Sequence, residues 1–199
     1  GRGDPPAGGG RTHRRVTGRG GLGLDGPDRG RGRSGRGLGS PSNWAWHRGP
    51  IERPGEAVVF DVDGVLSDAV GRQHFLERGR RDWDSFFEAC GDDPVIEELA
   101  RVLELLDGRL QVVLLTGRPM RVQPQTLAWL ERYGLRWDLL VMRARGDYAH
   151  VTNFKREAVS ELRDYGFDLR LAFEDDPKNF AMLHAEGVPC VYIHSGYYE

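Results

Sequence analysis

Ala57-Val58-Val59-Phe60-Asp61-Val62-Asp63-Gly64-Val65-Leu66 joins four apolar residues to two carboxylates, set one residue apart, and then a glycine. The apolar run reads as a buried strand of a parallel sheet. Alternation along an extended chain puts Asp61 and Asp63 on the same side. Open α/β sheets bind ligands beyond the carboxyl ends of their strands. Two acids at that place suit a divalent cation or attack on an electrophile. Asp-Gly is also a common turn pair, so from this stretch alone a strand ending in a polar turn is an equal reading.

The chain around it has 199 residues, the size of one domain with an appendage. A formal charge of −2 conceals an asymmetry. Residues 1–50 hold ten Arg against three Asp, a net +7, and the remainder carries −9. Sixteen of those first fifty residues are Gly and few are aliphatic. Such a segment cannot bury enough apolar area to offset its ordering entropy, so residues 1–50 read as a disordered Gly/Arg-rich tail. Its Arg29-Gly30-Arg31-Gly32-Arg33 repeat suits nucleic-acid phosphates; a merely solvated tail fits as well. Trp44 and Trp46 either dock this linker or hang loose. The two cysteines, Cys90 and Cys190, support neither a disulfide framework nor a zinc site. That favours a reducing, cytoplasmic location. No apolar run is long enough for a membrane span, so no membrane partner is expected.

From residue 54 to 199 the composition is that of a folded domain. Ser67 to Asp93 is polar and broken by glycines, with a short helix expected near Asp82–Phe87. Helical spacing of Val95, Ile96, Leu99, Val102, Leu103 and Leu106 follows Asp93-Pro94. Gln111–Leu115 is a second buried strand, ending at Thr116-Gly117-Arg118. Leu139–Met142, Leu169–Phe173 and Cys190–Ile193 are further strands, alternating with helices that end near Tyr133, Tyr165 and Ala185. Alternation of this kind predicts an α/β fold with a five-stranded parallel sheet and helices on both faces.

In such a sheet the strand-end groups gather on one edge: Asp61 and Asp63, then Thr116, Gly117 and Arg118, then Glu174, Asp175 and Asp176. Lys155 opens the helix before the last of these strands. Each type serves phosphoryl transfer. A carboxylate can be the nucleophile and a second the general acid and base. Oxygen ligands suit Mg²⁺, which offsets the charge of a phosphate facing acids. A hydroxyl and a lysine can hold phosphoryl oxygens. Against these, Thr116 can cap a helix, Lys155 can be a surface lysine and Asp176 can be an N-cap. The six histidines show no ligand spacing, and Trp129 and Leu130 read as core.

This four-part order resembles the haloacid dehalogenase (HAD) superfamily of phosphatases, with a Rossmann-like fold, over residues 57 to about 198. Asp61-Val62-Asp63-Gly64-Val65 is similar to its first motif, Thr116 to its second, Lys155 to its third and Glu174-Asp175 to its fourth. The resemblance implies Asp61 as nucleophile, Asp63 as acid/base, and Thr116 and Lys155 as phosphoryl-holding groups. It also implies Mg²⁺ held by Asp61, Asp63 and an acid of the fourth motif, Asp175 before Glu174. Within the superfamily, Thr116-Gly117-Arg118, Gly146-Asp147, Lys155-Arg156-Glu157 and Leu171-Ala172-Phe173-Glu174-Asp175 resemble the 3′-phosphatase domain of phage-type polynucleotide kinase-phosphatases. That implies a phosphatase acting on polynucleotide 3′-phosphate ends, with Gly117, Arg118, Arg143 and Arg145 as substrate-binding residues. Two positions depart from the pattern: Ala149 lies where an arginine is expected, and Glu174 replaces an Asp. A small-molecule phosphomonoesterase and a non-catalytic phosphate-binding module remain the alternatives. No Gly-x-x-x-x-Gly-Lys-Ser/Thr loop occurs, so no kinase domain is expected in this chain. The interval from Ser67 to Asp93 is too short for an independent cap domain, so only a small flap or minimal cap is expected.

Overall fold

The computed structural model describes residues 40–77, 81–144 and 150–198. Of the disordered tail expected over residues 1–50, residues 1–39 lie outside the described residues, as do Arg145 and Ala149, while Trp44–Trp46 within it form a strand. The strands are β1 Trp44–Trp46, β2 Glu56–Phe60, β3 Gln111–Pro119, β4 Leu139–Arg143, β5 Asp168–Glu174 and β6 Cys190–Tyr192. The α-helices are α1 His74–Glu77, α2 Trp83–Glu88, α3 Glu97–Leu105, α4 Gln123–Arg132, α5 Val151–Tyr165 and α6 Pro177–Ala185.

The sheet order is β1-β4-β3-β2-β5-β6. Five strands run parallel, as expected, with β2 at the centre between β3 and β5. The sixth, β1, corrects the expected count. It pairs antiparallel with β4, with Ala45 opposite Leu140. Trp44 is 7% exposed, and its ring lies edge-on to Tyr165, with centroids 5.2 Å apart. Two tryptophans in a Gly/Arg-rich stretch thus supply the apolar area that neighbouring residues lack.

Because strand side chains alternate, β2 feeds two cores. Ala57 and Val59 join Val113, Leu115 and Val141 beneath α5 and α6. Val58 and Phe60 join Val112, Leu114 and Met142 with Leu103 of α3 and Trp129 and Leu130 of α4. The helices α5 and α6 therefore cover one face, and α3 and α4 the other. Each helix has a local reason to stop or start. Pro124 lies in the first turn of α4, where its missing N–H costs nothing. Gly166 ends α5 at φ +116°, a conformation that a side chain disfavours. Asp176 accepts from Lys178 N at 2.8 Å and caps α6.

Between β2 and α3 the chain forms a flap of short helices: a 3-10 turn Ala69–Arg72, then α1, α2 and a second 3-10 turn Ala89–Asp92. Among the described residues no helix is long and apolar enough to cross a membrane.

If β1 belongs to the cooperative unit, Trp44→Ala should cost about 3 kcal/mol, the low end for deleting a buried aromatic. Urea unfolding followed by circular dichroism should show a lower midpoint with an unchanged slope.

Candidate active site

The acidic site sits where β2, β3 and β5 end side by side. Asp61 follows β2 directly, and its N–H donates to Phe173 O of β5 at 3.0 Å. Gly64, at φ +81°, turns the chain so closely over Asp175 that a Cβ there would collide with that carboxylate. Thr116, fully buried, accepts from Arg118 N at 3.1 Å, which bends the end of β3. It therefore shapes a strand turn, while the helical segments after it begin only at Met120. Gly117 packs against Val151 at the start of α5. Arg143 lies half-buried at the end of β4, opposite Pro119 of β3.

Lys155 is buried in the first turn of α5. Its Nζ lies 3.0 Å from Asp61 Oδ1 and 2.7 Å from Glu174 Oε2. The other oxygen of Glu174 accepts the N–H groups of Asp175 and Asp176 at 3.2 and 3.1 Å. Glu174 is thus tied to the lysine and to the turn after β5. Asp175 is different: it is buried, and neither oxygen has an aligned hydrogen-bond partner among the described residues. One carboxylate oxygen from each of Asp61, Glu174 and Asp175 falls within 4.8 Å of the others. A buried acid whose oxygens lack an aligned donor, beside two more acids, fits a hard divalent cation.

Their titration follows from this crowding. Burial pushes the Asp61 carboxyl well above its ordinary range; Lys155 pulls it back, while Glu174 and Asp175 add to the rise. Burial likewise raises Asp175 to about 7, with the Ser195 hydroxyl only partly offsetting it. Asp63 goes the other way. Burial acts upward on it too, but Arg118 and Arg72 outweigh that and hold it at about 2.

Those two arginines were not both anticipated. Arg118, expected against a substrate phosphate, is 0% exposed. Its Nε and Nη2 donate to Asp63 Oδ1 at 3.0 and 2.6 Å, its Nη2 to Ser67 Oγ at 2.9 Å, and its Nη1 to Thr126 Oγ1 at 3.3 Å. Arg72, from the flap, also donates to Asp63 Oδ1. It grips Asp93 as well, with Nε 3.0 Å from both carboxylate oxygens and Nη2 2.7 Å from Oδ2. Ser67 Oγ donates to the same Asp93 oxygen. Sequence reasoning passed over Arg72, Ser67 and Asp93. Each is a lone polar residue in an irregular segment, and only Asp93-Pro94 left a signal, as a helix opening.

The C-terminal segment closes another side. Tyr197 Oη donates to Asp68 Oδ1 at 2.7 Å, linking it to the flap. Burial raises the Tyr198 phenol, and the charges of Asp175 and Asp61 add to the shift.

Parallel strand ends that bring together three buried acids, a fourth acid held by arginines and a buried lysine have the arrangement of a phosphomonoester hydrolase of the haloacid dehalogenase type. The family model for the phosphatase domain of polynucleotide kinase PNKP matches residues 55–198, and the chain belongs to that family. A solved Pnkp1/Rnl/Hen1 complex contains a chain similar at 25% identity and TM-score 0.59, over 72% of this chain and 47% of that one. In a Pnkp1/Rnl/Hen1 RNA repair complex the values are 24% and 0.59, over 77% and 47%. The class C acid phosphatase from Bacillus anthracis with tungstate bound shares the fold, at 15% identity and TM-score 0.52, over 76% and 70%. The chain spans about half the length of the two Pnkp1 chains it matches.

Removing Arg72 would leave buried Asp93 with only the Ser67 hydroxyl and a long 3.4 Å contact to Arg118, and strip one of two cations from Asp63. Arg72→Ala should destabilise the fold by about 3–5 kcal/mol, as breaking a buried pair does. Chemical denaturation of the purified variant measures this. A loss below about 1 kcal/mol would show the network to be dispensable for folding.

Proposed function

We propose that the protein is a Mg²⁺-dependent phosphatase that works through an aspartyl-phosphate on Asp61 and removes the 3′-phosphate from polynucleotide ends. The observation that carries this reading is the convergence of buried Asp61, Glu174 and Asp175 beside Lys155, with neither oxygen of Asp175 meeting an aligned donor. Asp61 and Asp175 through their carboxylates, and Asp63 through its backbone carbonyl, are the groups that would hold the metal. Bound there, Mg²⁺ offsets the negative charge of a phosphoryl group facing carboxylates.

The chain's own residues do the rest. Lys155 opposes the effect of burial on Asp61, favouring its ionised form, and orients it for attack on phosphorus. The new Asp61 O–P bond forms as the bond to the leaving oxygen breaks. Asp63 gives that oxygen a proton. At rest Asp63 is ionised by Arg72 and Arg118; the negative charge of an entering phosphate raises its proton affinity and lets it act as the acid. In the second half Asp63 takes a proton from water, whose oxygen attacks the aspartyl-phosphate and regenerates Asp61. Arg118 and Arg72 act by positioning Asp63. Thr116 and Gly117 shape the turn that faces the phosphoryl group, and Arg143 and Arg145 are the candidates for neighbouring phosphates.

Three considerations favour a polymer end over a small metabolite. The chain belongs to the PNKP phosphatase family. One similar chain lies in an RNA repair complex. The flap consists of short helices rather than a full cap domain, which suits the end of a long substrate.

Asp61→Asn should reduce phosphate release by at least about 10³-fold without lowering the melting temperature, since an amide is a poor nucleophile. Retention of more than a few per cent of turnover would exclude the covalent route. Rapid-quench analysis of the unaltered protein should show an acid-stable, phosphate-labelled intermediate; its absence together with no turnover would indicate a non-catalytic module.

Mg²⁺ at a hundredfold over its dissociation constant should stabilise the fold by about 2.7 kcal/mol, because it binds the native state alone. Differential scanning calorimetry with and without EDTA measures this. Asp175→Asn should abolish most of the shift.

On substrates, 3′-phosphorylated oligonucleotides should show a higher kcat/KM than sugar phosphates or free nucleotides. Equal activity on the small phosphates would leave a general phosphomonoesterase.

A further inference from the structure

Resting on the polynucleotide reading above, we infer that Trp83 of the flap is a stacking platform for a nucleobase at the 3′ end of the substrate strand. Trp83 is 44% exposed, whereas Trp44, Trp129 and Trp137 are buried. Its ring stacks on Phe87 at 25° with centroids 5.9 Å apart and meets Phe86 edge-on at 5.7 Å. The indole is therefore held from behind while part of its surface faces solvent. The Arg81 guanidinium lies 6.0 Å from the same ring, where a cation can serve both the ring and a phosphate. Arg81, Asp82, Trp83 and Asp84 line an open cleft of about 540 Å³.

The platform is wired to the reaction centre. Phe86 stacks beneath the Arg72 guanidinium at 4.1 Å, and Phe86 O accepts from Arg72 Nη1 at 3.2 Å. Arg72 in turn binds Asp63. Two side chains thus separate Trp83 from the acid that would protonate the leaving oxygen. The helix that bears Trp83 is also braced. Arg121 pairs with Asp84 at 2.8 Å and with Glu88, and Gln125 donates to Glu88 at 3.0 Å. Bracing keeps the ring in place before a base arrives, and the pairing with Arg121 mutes the acidic charge that would repel phosphates. Every base offers a π-face, so such a platform selects nucleic acid over sugar phosphates with little sequence preference.

The test is binding to the Asp61→Asn protein, which holds substrate without turning it over. A 3′-phosphorylated oligothymidylate should quench tryptophan fluorescence, and Trp83→Phe should lose that quench. Trp83→Ala should raise the dissociation constant about tenfold, within the range for one stacked base, and Trp83→Phe by less. With Asp61 restored, Trp83→Ala should raise KM with little change in kcat. An oligonucleotide whose 3′-terminal nucleotide lacks its base should bind the Trp83 protein as weakly as the Trp83→Ala protein binds the intact strand, and removing both should add nothing further. Equal affinities for Trp83 and Trp83→Ala, or fully additive losses, would overturn the platform. Binding that depends on Trp83 without cleavage by the unaltered enzyme would overturn the proposed substrate alone. Failure of the oligonucleotide to bind at all would overturn both.

Discussion

Four carboxylates, Asp61, Asp63, Glu174 and Asp175, are brought into one small volume at the end of a buried sheet. Much of this structure follows from the need to compensate them. Burial of a lone carboxylate is costly, so each must find a cation, a hydrogen-bond donor or a proton. Lys155 answers for Asp61 and Glu174. Arg118 and Arg72 answer for Asp63. Asp175 is left without an aligned protein donor and with a raised proton affinity. Among these acids Asp175 is therefore the least compensated by protein groups.

The two sets of cations divide the labour. Lys155 rises from α5 beneath one face of the sheet and holds Asp61 and Glu174. The arginine set spans the other side, joining β3 through Arg118 to the flap through Arg72, Ser67 and Asp93. Asp93 does not reach the phosphate site itself, yet it anchors the arginine that holds Asp63. Trp129 Nε1 donates to Asp93 O at 2.8 Å, so the core of α4 in turn fixes that anchor. Position at the reacting atoms is therefore inherited from packing well behind them.

The motif residues were legible because they sit at the ends of long apolar runs. Val58 to Asp63, Val112 to Thr116 and Leu171 to Asp175 each announce a strand and its functional terminus together. Trp129 was legible as core through helical spacing. β1 was not, since three residues in a Gly/Arg-rich composition carry no periodic signal, and only the pairing of Ala45 with Leu140 makes them a strand. Arg118 was found by its motif, but its direction was not: a side chain's partner depends on what lies across space, and here that is Asp63 rather than open solvent.

The order of apolar strands, helices and strand-end acids along the chain was enough to determine a parallel α/β sheet and the set of groups that meet at its edge, though not the order of its strands. That much follows from local periodicity and the rule that parallel strands point their carboxyl ends the same way. Which acid is paired and which is left open was decided only in three dimensions. Arg72 and Asp93 are 21 residues apart, and Ser67 and Arg118 are 51 apart. Contacts at such separations leave no pattern in the chain, because they exist only once the flap has folded back onto the sheet.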